Sequence, residues 1–102
     1  MKVLTTGHAY NLASFEGGEP QTLKFIQKVP TAEGSKDLLT VADGTTNEEV
    51  LAVLIDRLQY LNGKFPCREN ALVITKLEES LMWLNKRTAD RLARQVEGKA
   101  VA

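Results

Sequence analysis

The sequence contains one cysteine, Cys67, and one histidine, His8, among its 102 residues. A lone cysteine cannot form an intrachain disulfide, and such scarcity is typical of a reducing compartment. Metal sites need clustered histidine, cysteine or carboxylate side chains, which this sequence does not provide. We interpret Cys67 as a small buried side chain at the start of a helix rather than a nucleophile. The sequence therefore predicts no cofactor, no metal ion and no catalytic residue.

The sequence also has no net charge and no long apolar run. Lysine plus arginine and aspartate plus glutamate number 13 each, which argues against a strongly basic nucleic-acid-binding protein. No run of about 18 apolar residues is present to span a membrane. The first residues do not have the charged and then apolar pattern of a signal peptide. We therefore expect neither membrane insertion nor secretion.

What the sequence does contain is one long amphipathic helix over residues 66–96. Pro66 suits a first helical turn, and Gly98 suits the exit. At 1.5 Å per residue the helix would be about 45 Å long, which exceeds the width of a domain of this size. Its last residues are therefore expected to meet solvent, a ligand or another subunit. The apolar residues recur in steps of three and four at Val73, Leu77, Leu81, Leu84, Thr88, Leu92 and Val96.

The preceding residues predict a small antiparallel sheet and a first helix. Residues 9–15 and 21–29 alternate like a hairpin that Pro30 ends, and residues 37–42 form a third candidate strand. Thr46 and Glu49 match a capping box. The helix that follows runs to about Leu61 and is stopped by the Asn-Gly pair at residues 62–63. Its apolar stripe consists of Val50, Leu51, Leu54, Leu58 and Leu61.

These elements predict an α+β fold in one domain, residues 1–102. Residues 1–46 would form the small β-sheet region, and residues 47–102 a helical hairpin with a long C-terminal helix. The short connection between the helices makes them antiparallel. Because a core of this size is marginal, we expect a homo-oligomer, either a dimer or a larger assembly.

Three arginines mark the end of the long helix. Arg87, Arg91 and Arg94 follow each other at i, i+4 and i+7, so they share one helical face. Guanidinium groups match phosphate oxygens with paired donors. The alternative is structural, because cations near a helix C-terminus also complement the helix dipole. Trp83 beside this face could stack on a base, although packing in a core or an interface is the alternative.

Several sequence motifs in the predicted hairpin resemble those of a known family. Residues 65–72, 75–84, 87–91 and 96–98 are similar to the helical hairpin of the phage Thoeris anti-defence sponges of the first-described type. That hairpin is shared with an anti-CBASS sponge. The resemblance extends over about residues 47–98, and the N-terminal part is similar to the family's small sheet only loosely. Where the family usually has an Arg-Gly pair, this sequence has Arg94 and Gln95.

The resemblance implies that the protein is a viral immune-evasion protein acting in the host cytoplasm. It would bind and sequester glycocyclic ADP-ribose, the signal made by host TIR-domain proteins, without cleaving it. The ligand contacts implied by the resemblance are Asn70, Arg87 and Arg91, with Tyr60 as the aromatic residue that stacks on the base. The protein would therefore be no enzyme. Its partners would be the small cyclic nucleotide signal and further copies of itself.

Other functions remain open at the level of sequence. They are a sponge for cyclic oligonucleotide signals of CBASS, a small phage nucleic-acid-binding protein, a hydrolase of the same signal, and an interaction module with solvated arginines. If Arg87 and Arg91 clamp a pyrophosphate, alanine at either position should weaken binding. Helix stability should then barely change, because alanine favours helices.

Overall fold

The computed structural model describes residues 1–102, which form two antiparallel sheets and then two helices. Strands β1–β3 make a three-stranded sheet in that order, and β4 and β5 pair in a second sheet. The predicted α+β fold, with antiparallel strands before a two-helix hairpin, is confirmed, although the strands form two small sheets instead of the one predicted. Its elements are β1 (Lys2–Thr5), β2 (Ala9–Leu12), β3 (Gln21–Lys24), β4 (Gln27–Pro30), β5 (Leu38–Ala42), α1 (Asn47–Lys64) and α2 (Arg68–Ala93).

The chain divides into two compact units. The first, which we call the sheet unit, consists of Met1–Thr46 and Gly98–Ala102. The second is the helical unit, Asn47–Glu97. The last five residues therefore belong with the strands, where the Ala100 N–H donates to the Lys36 carbonyl over 2.8 Å. The single domain predicted from the sequence stays a prediction.

The predicted strand over residues 21–29 is wrong, because it is two strands that belong to different sheets. β3 pairs with β2, whereas β4 pairs with β5. The change of partner occurs at Phe25, whose N–H donates to the His8 carbonyl, and at Ile26, whose N–H donates to Thr45. Ile26 is also the residue that breaks the alternation of the pattern. Pro30 is the last residue of β4, opposite Leu38.

Gly44 sits where the chain leaves β5 and passes close to the β3–β4 break. A Cβ atom at this position would lie 2.6 Å from the Phe25 carbonyl carbon and 2.7 Å from the Lys24 carbonyl oxygen. Both neighbours are backbone atoms and cannot rotate away. The close approach therefore requires glycine.

The two helices differ from their predicted bounds. α1 begins directly after Thr46 and ends at Lys64, so Gly63 lies in its last turn rather than stopping it. α2 starts at Arg68, and Pro66 precedes it instead of forming its first turn. α2 has 26 residues, which at 1.5 Å per residue is about 39 Å. It is eight residues longer than the 18-residue α1, which confirms that the second helix is the longer one.

The half-buried faces largely match the predicted stripes, with three exceptions. Leu54, Val73 and Leu92 are 43%, 43% and 61% exposed. Their neighbours Ile55 and Ile74 are half-buried instead. At each of these two places, two apolar residues are adjacent in the sequence, so spacing alone allows either of them to face the other helix. The half-buried apolar positions of the hairpin are Val50, Leu51, Ile55, Leu58, Leu61, Ile74, Leu77, Leu81 and Leu84.

No hydrophobic side chain of the single chain is fully buried. Exposed large apolar side chains lie on both helices, including Val53, Tyr60, Met82 and Trp83. A lone chain of this kind gains little from hydrophobic burial. Neither helix is long and apolar enough to cross a lipid bilayer.

Candidate functional site

The candidate site residues lie at opposite ends of the helical hairpin. Tyr60 is near the end of α1, and Asn70 is in the first turn of α2, so both are at the connection between the helices. Arg87 and Arg91 are near the end of α2. Since α2 is one continuous helix, the 17 residues from Asn70 to Arg87 correspond to about 25 Å. The single chain therefore separates these residues into two groups.

The start of α2 is held by side chains next to it in the sequence. Cys67 is the N-cap, and its sulfur accepts a hydrogen bond from the Asn70 N–H at 3.4 Å. The Cys67 N–H donates to the Asn62 side-chain oxygen over 2.9 Å. Cys67 is exposed, so its interpretation as a buried side chain is wrong. The two bonds position Asn70 at the first turn of α2, where its side chain is half-buried.

Tyr60 lies on the outer surface of α1. It is 56% exposed, and the Lys64 ammonium is 4.8 Å from the centre of its ring. A cation at this distance is attracted to the ring face. Tyr60 borders an open hollow of about 500 Å³ whose other lining residues are Glu49, Ala52, Val53, Asp56 and Arg57.

Arg91 has an environment that the sequence did not predict. It is 3% exposed and is the one buried residue of the chain. Its Nη2 donates to the Val96 carbonyl over 2.8 Å, and its Nε is 3.3 Å from a Glu97 carboxylate oxygen. A buried guanidinium is tolerated when it is paired and hydrogen-bonded in this way. In the single chain, Arg91 thus attaches the segment after α2 to the helix.

The end of α2 is a Schellman motif, and Arg91 is part of it. The Val96 N–H donates to the Arg91 carbonyl, and the Gln95 N–H donates to Leu92. Gln95 has a φ of 61°, the left-handed conformation that usually belongs to glycine at this position. Arg91 and Val96 are therefore joined twice, through a main-chain bond and through the guanidinium. The helix ends here, rather than near residue 96 as predicted.

Arg87 lies on a different surface from Arg91. It is exposed and lines a hollow of about 230 Å³, which we call the tryptophan hollow. Lys86 pairs with Asp90 over 3.0 Å. The single chain does not combine Arg87 and Arg91 in one hollow. The tryptophan hollow is formed by Trp83, Lys86, Arg87, Asp90 and Arg94.

The hollow has an excess of positive charge beside an aromatic ring. Three cationic side chains and one carboxylate line it. Such a surface attracts anions that also carry a planar group. No group of three or more histidine, cysteine or carboxylate side chains is placed to hold a metal ion.

Comparison with known proteins places these helices in a family. The model of the Acb2/Tad1 hairpin domain matches residues 26–89. The match begins at Ile26, so it includes β4 and β5 as well as the helices. The sequence analysis confined the strong resemblance to residues 47–98, and the family domain therefore begins earlier than expected.

A curated relative supports the same assignment. The chain is 64% identical over 58 residues to Thoeris anti-defense 1 of Bacillus phage SBSphiJ7. That alignment includes 56% of this chain and 41% of the relative, so the chain spans about two fifths of the length of the relative. The family model covers more than half of the 102 residues. The chain therefore belongs to the Acb2/Tad1 hairpin family.

Proposed function

We propose that this protein is a Thoeris anti-defence sponge, which binds the cyclic ADP-ribose-type signal of host TIR proteins and keeps it from its effector. The observation that carries the proposal is the 64% identity over 58 residues to a Thoeris anti-defence protein. The proposed ligand is glycocyclic ADP-ribose, whose pyrophosphate carries negative charge. The protein acts in the host cytoplasm.

The exposed guanidinium of Arg87 supports this ligand class. Arg87 forms no salt bridge within the chain, so its paired donors are available to phosphate oxygens. Asn70 supplies amide donors and acceptors, and Tyr60 supplies a ring face for the base. Arg91 takes part if its guanidinium shares or exchanges its bonds to Val96 and Glu97 when the signal binds.

We further propose that the site is formed by two chains. Asn70 and Arg87 are about 25 Å apart along α2, a distance greater than the size of a nucleotide signal. If the α2 helices of two copies pack antiparallel, the start of one helix meets the end of the other. A two-fold pair then has two equivalent sites. The exposed apolar residues of the helices, such as Leu72 and Leu92 at 47% and 61% exposure, supply surface for this contact.

A mixing experiment tests the two-chain site. Asn70→Ala and Arg87→Ala each damage both sites of their own dimer. When the two variants are unfolded together and refolded, a mixed dimer has one intact site and one doubly damaged site. Calorimetry should therefore recover high-affinity binding at about a quarter of the wild-type site number. Absence of recovery, or a monomer by light scattering that still binds the signal, would contradict the two-chain site.

The sponge does not cleave its signal. General acid–base catalysis needs a titratable group within hydrogen-bond reach of the scissile bond, and Asn70 and the two arginines do not act in this way near neutral pH. Binding without turnover silences signalling when sites outnumber signal molecules and the dissociation constant is low. At a dissociation constant near 1 nM, the binding free energy is about 12 kcal/mol.

The decisive assay is a long incubation of excess TIR-produced signal with the protein, followed by denaturation and chromatography of the small molecule. The sponge should return all of the signal intact, with one molecule retained per site before denaturation. Loss of more signal than there are sites would mean turnover and would overturn the proposal. Arg87→Ala is the matched control, since it should retain less signal than the wild type at the same protein concentration.

Cyclic oligonucleotide signals are the second candidate ligands. The family model names two relatives together, Acb2 and Tad1, and the notably basic tryptophan hollow suits any phosphodiester. A competition assay separates the two ligand classes. If cyclic oligonucleotides displace the ADP-ribose-type signal, they share its site; if both bind at once, the sites are separate.

A further inference from the structure

Trp83 is an exposed aromatic residue for which the packing of the hairpin gives no reason. It is the only tryptophan of the sequence and is 57% exposed on α2. Met82 beside it is 53% exposed but lines another part of the surface, with Ile55 and Asn85. Trp83 instead forms one side of the tryptophan hollow. Large aromatic side chains with an accessible face are common anchors for ligands.

The charges of the hollow are not equivalent. The Lys86 ammonium is 3.0 Å from Asp90, so this pair is close to neutral as a unit. Arg87 has no salt-bridge partner. Arg87 therefore presents positive charge to a ligand in the hollow that Trp83 also lines.

Trp83 and Arg87 are four residues apart on one helix. Side chains at this spacing are neighbours, with Cβ atoms about 6 Å apart. A nucleotide offers a planar base and a phosphate at a similar separation. The hollow of about 230 Å³ accommodates a base but not a whole dinucleotide. Tyr60 is 56% exposed, about as much as Trp83, and the Lys64 ammonium lies 4.8 Å from the centre of its ring.

We infer that Trp83 is a further ligand-binding residue: its indole stacks on the adenine base of the nucleotide whose phosphate Arg87 binds. The inference rests on the proposed function and deepens it, because it adds an aromatic residue near the end of α2 to the residues that contact the base. Stacking on an aromatic side chain is worth about 5- to 150-fold in affinity per base. Trp83 thereby makes the site prefer phosphates that carry a base over phosphates without one.

Intrinsic fluorescence tests the inference directly, since Trp83 is the sole source of tryptophan emission. Purified TIR-produced signal should quench or shift the emission in proportion to the bound fraction measured by calorimetry. Inorganic pyrophosphate and ribose 5-phosphate lack a base and should leave the emission nearly unchanged. Unchanged emission at saturating signal would overturn the stacking.

Substitutions provide the second test. Trp83→Leu should weaken binding of the signal about 5- to 150-fold and leave the affinity for pyrophosphate unchanged. Trp83→Phe should retain most of the affinity, because a phenyl ring still stacks. Met82→Leu is the matched control and should bind like the wild type. Light scattering and circular dichroism establish that each variant keeps its subunit number and helix content.

The possible failures are distinguishable. If the wild-type protein binds no TIR-produced signal by calorimetry, the proposed function fails. If the wild type binds and Trp83→Leu binds equally well, only the role of Trp83 fails. A Trp83→Leu variant that loses affinity solely by changing its subunit number would also overturn stacking, because the tryptophan would then be an interface residue.

Discussion

The two ends of α2 are held in different ways. At its start, an exposed cysteine and an asparagine from α1 bind the free main-chain N–H groups. At its end, the buried side chain of Arg91 binds the segment that follows the helix. The first arrangement depends on local polar atoms, and the second on a desolvated charge. The difference teaches that two arginines one turn apart can have unequal roles: Arg87 is available to a ligand, whereas Arg91 is first a structural residue.

The largest effect is expected for Arg91→Ala. It removes the guanidinium bonds to Val96 and Glu97, so the free energy of unfolding should fall by about 2–3 kcal/mol. Helix propensity alone predicts little change in stability for this substitution, because alanine favours helices. Urea unfolding followed by circular dichroism measures the loss, and calorimetry should show weaker binding of the signal as well. Arg94→Ala, at an exposed position, is the control; equal stability losses in the two variants would contradict the difference between them.

Arg87→Ala should weaken binding of the signal by about 2–3 kcal/mol, the scale of charge-assisted hydrogen bonds. Its unfolding midpoint should remain that of the wild type, because the side chain is exposed and alanine favours helices. Arg87→Lys should restore only part of the affinity, since an ammonium lacks the paired donors. Calorimetry of the three proteins measures this. Normal binding by Arg87→Ala would mean that Arg87 is a solvent-exposed side chain with no role in binding.

Gln95→Gly should stabilise the end of α2 by about 1 kcal/mol. Gln95 has a φ of 61°, which costs a residue with a side chain about 1–2 kcal/mol, and the greater freedom of glycine in the unfolded chain offsets part of the gain. The family's usual glycine at this position agrees with the same geometry. A rise in the urea midpoint is the expected readout. A fall would mean that contacts of the glutamine side chain outweigh its backbone strain.

Cys67→Ser should have the smallest effect, a gain of about 0.5–1 kcal/mol. A hydroxyl is a stronger N-cap acceptor than a thiol, whose bond to the Asn70 N–H is 3.4 Å long. Binding of the signal should be unchanged. The comparison variant Cys67→Ala, which has no acceptor, should be less stable than Cys67→Ser. If the order of these two variants is reversed, the thiol contributes through packing rather than capping.

Much of the fold could be predicted from the sequence, because local rules act over short distances. Periodicity located both helices, although the turn residues misplaced their ends, and alternation located part of the sheet. The strand over residues 21–29 could not be predicted correctly, since its division depends on the long-range partners His8 and Thr45. The half-buried helix faces were predicted at most positions, and the exceptions Leu54 and Val73 each stand next to another apolar residue that is half-buried instead.

For the candidate site, the sequence predicted the chemical types: arginines at helical spacing, an asparagine in the first turn of a long helix, and an aromatic residue before the connection. The rise of the continuous helix α2 separates Asn70 from Arg87 by about 25 Å, too far for one helix to bring them together. Only tertiary contacts separated Arg87 from Arg91, because burial depends on where the chain goes after α2. Gln95 in its left-handed conformation returns Val96 and Glu97 to the helix. Their oxygens bind the guanidinium of Arg91, whereas Arg87 remains exposed.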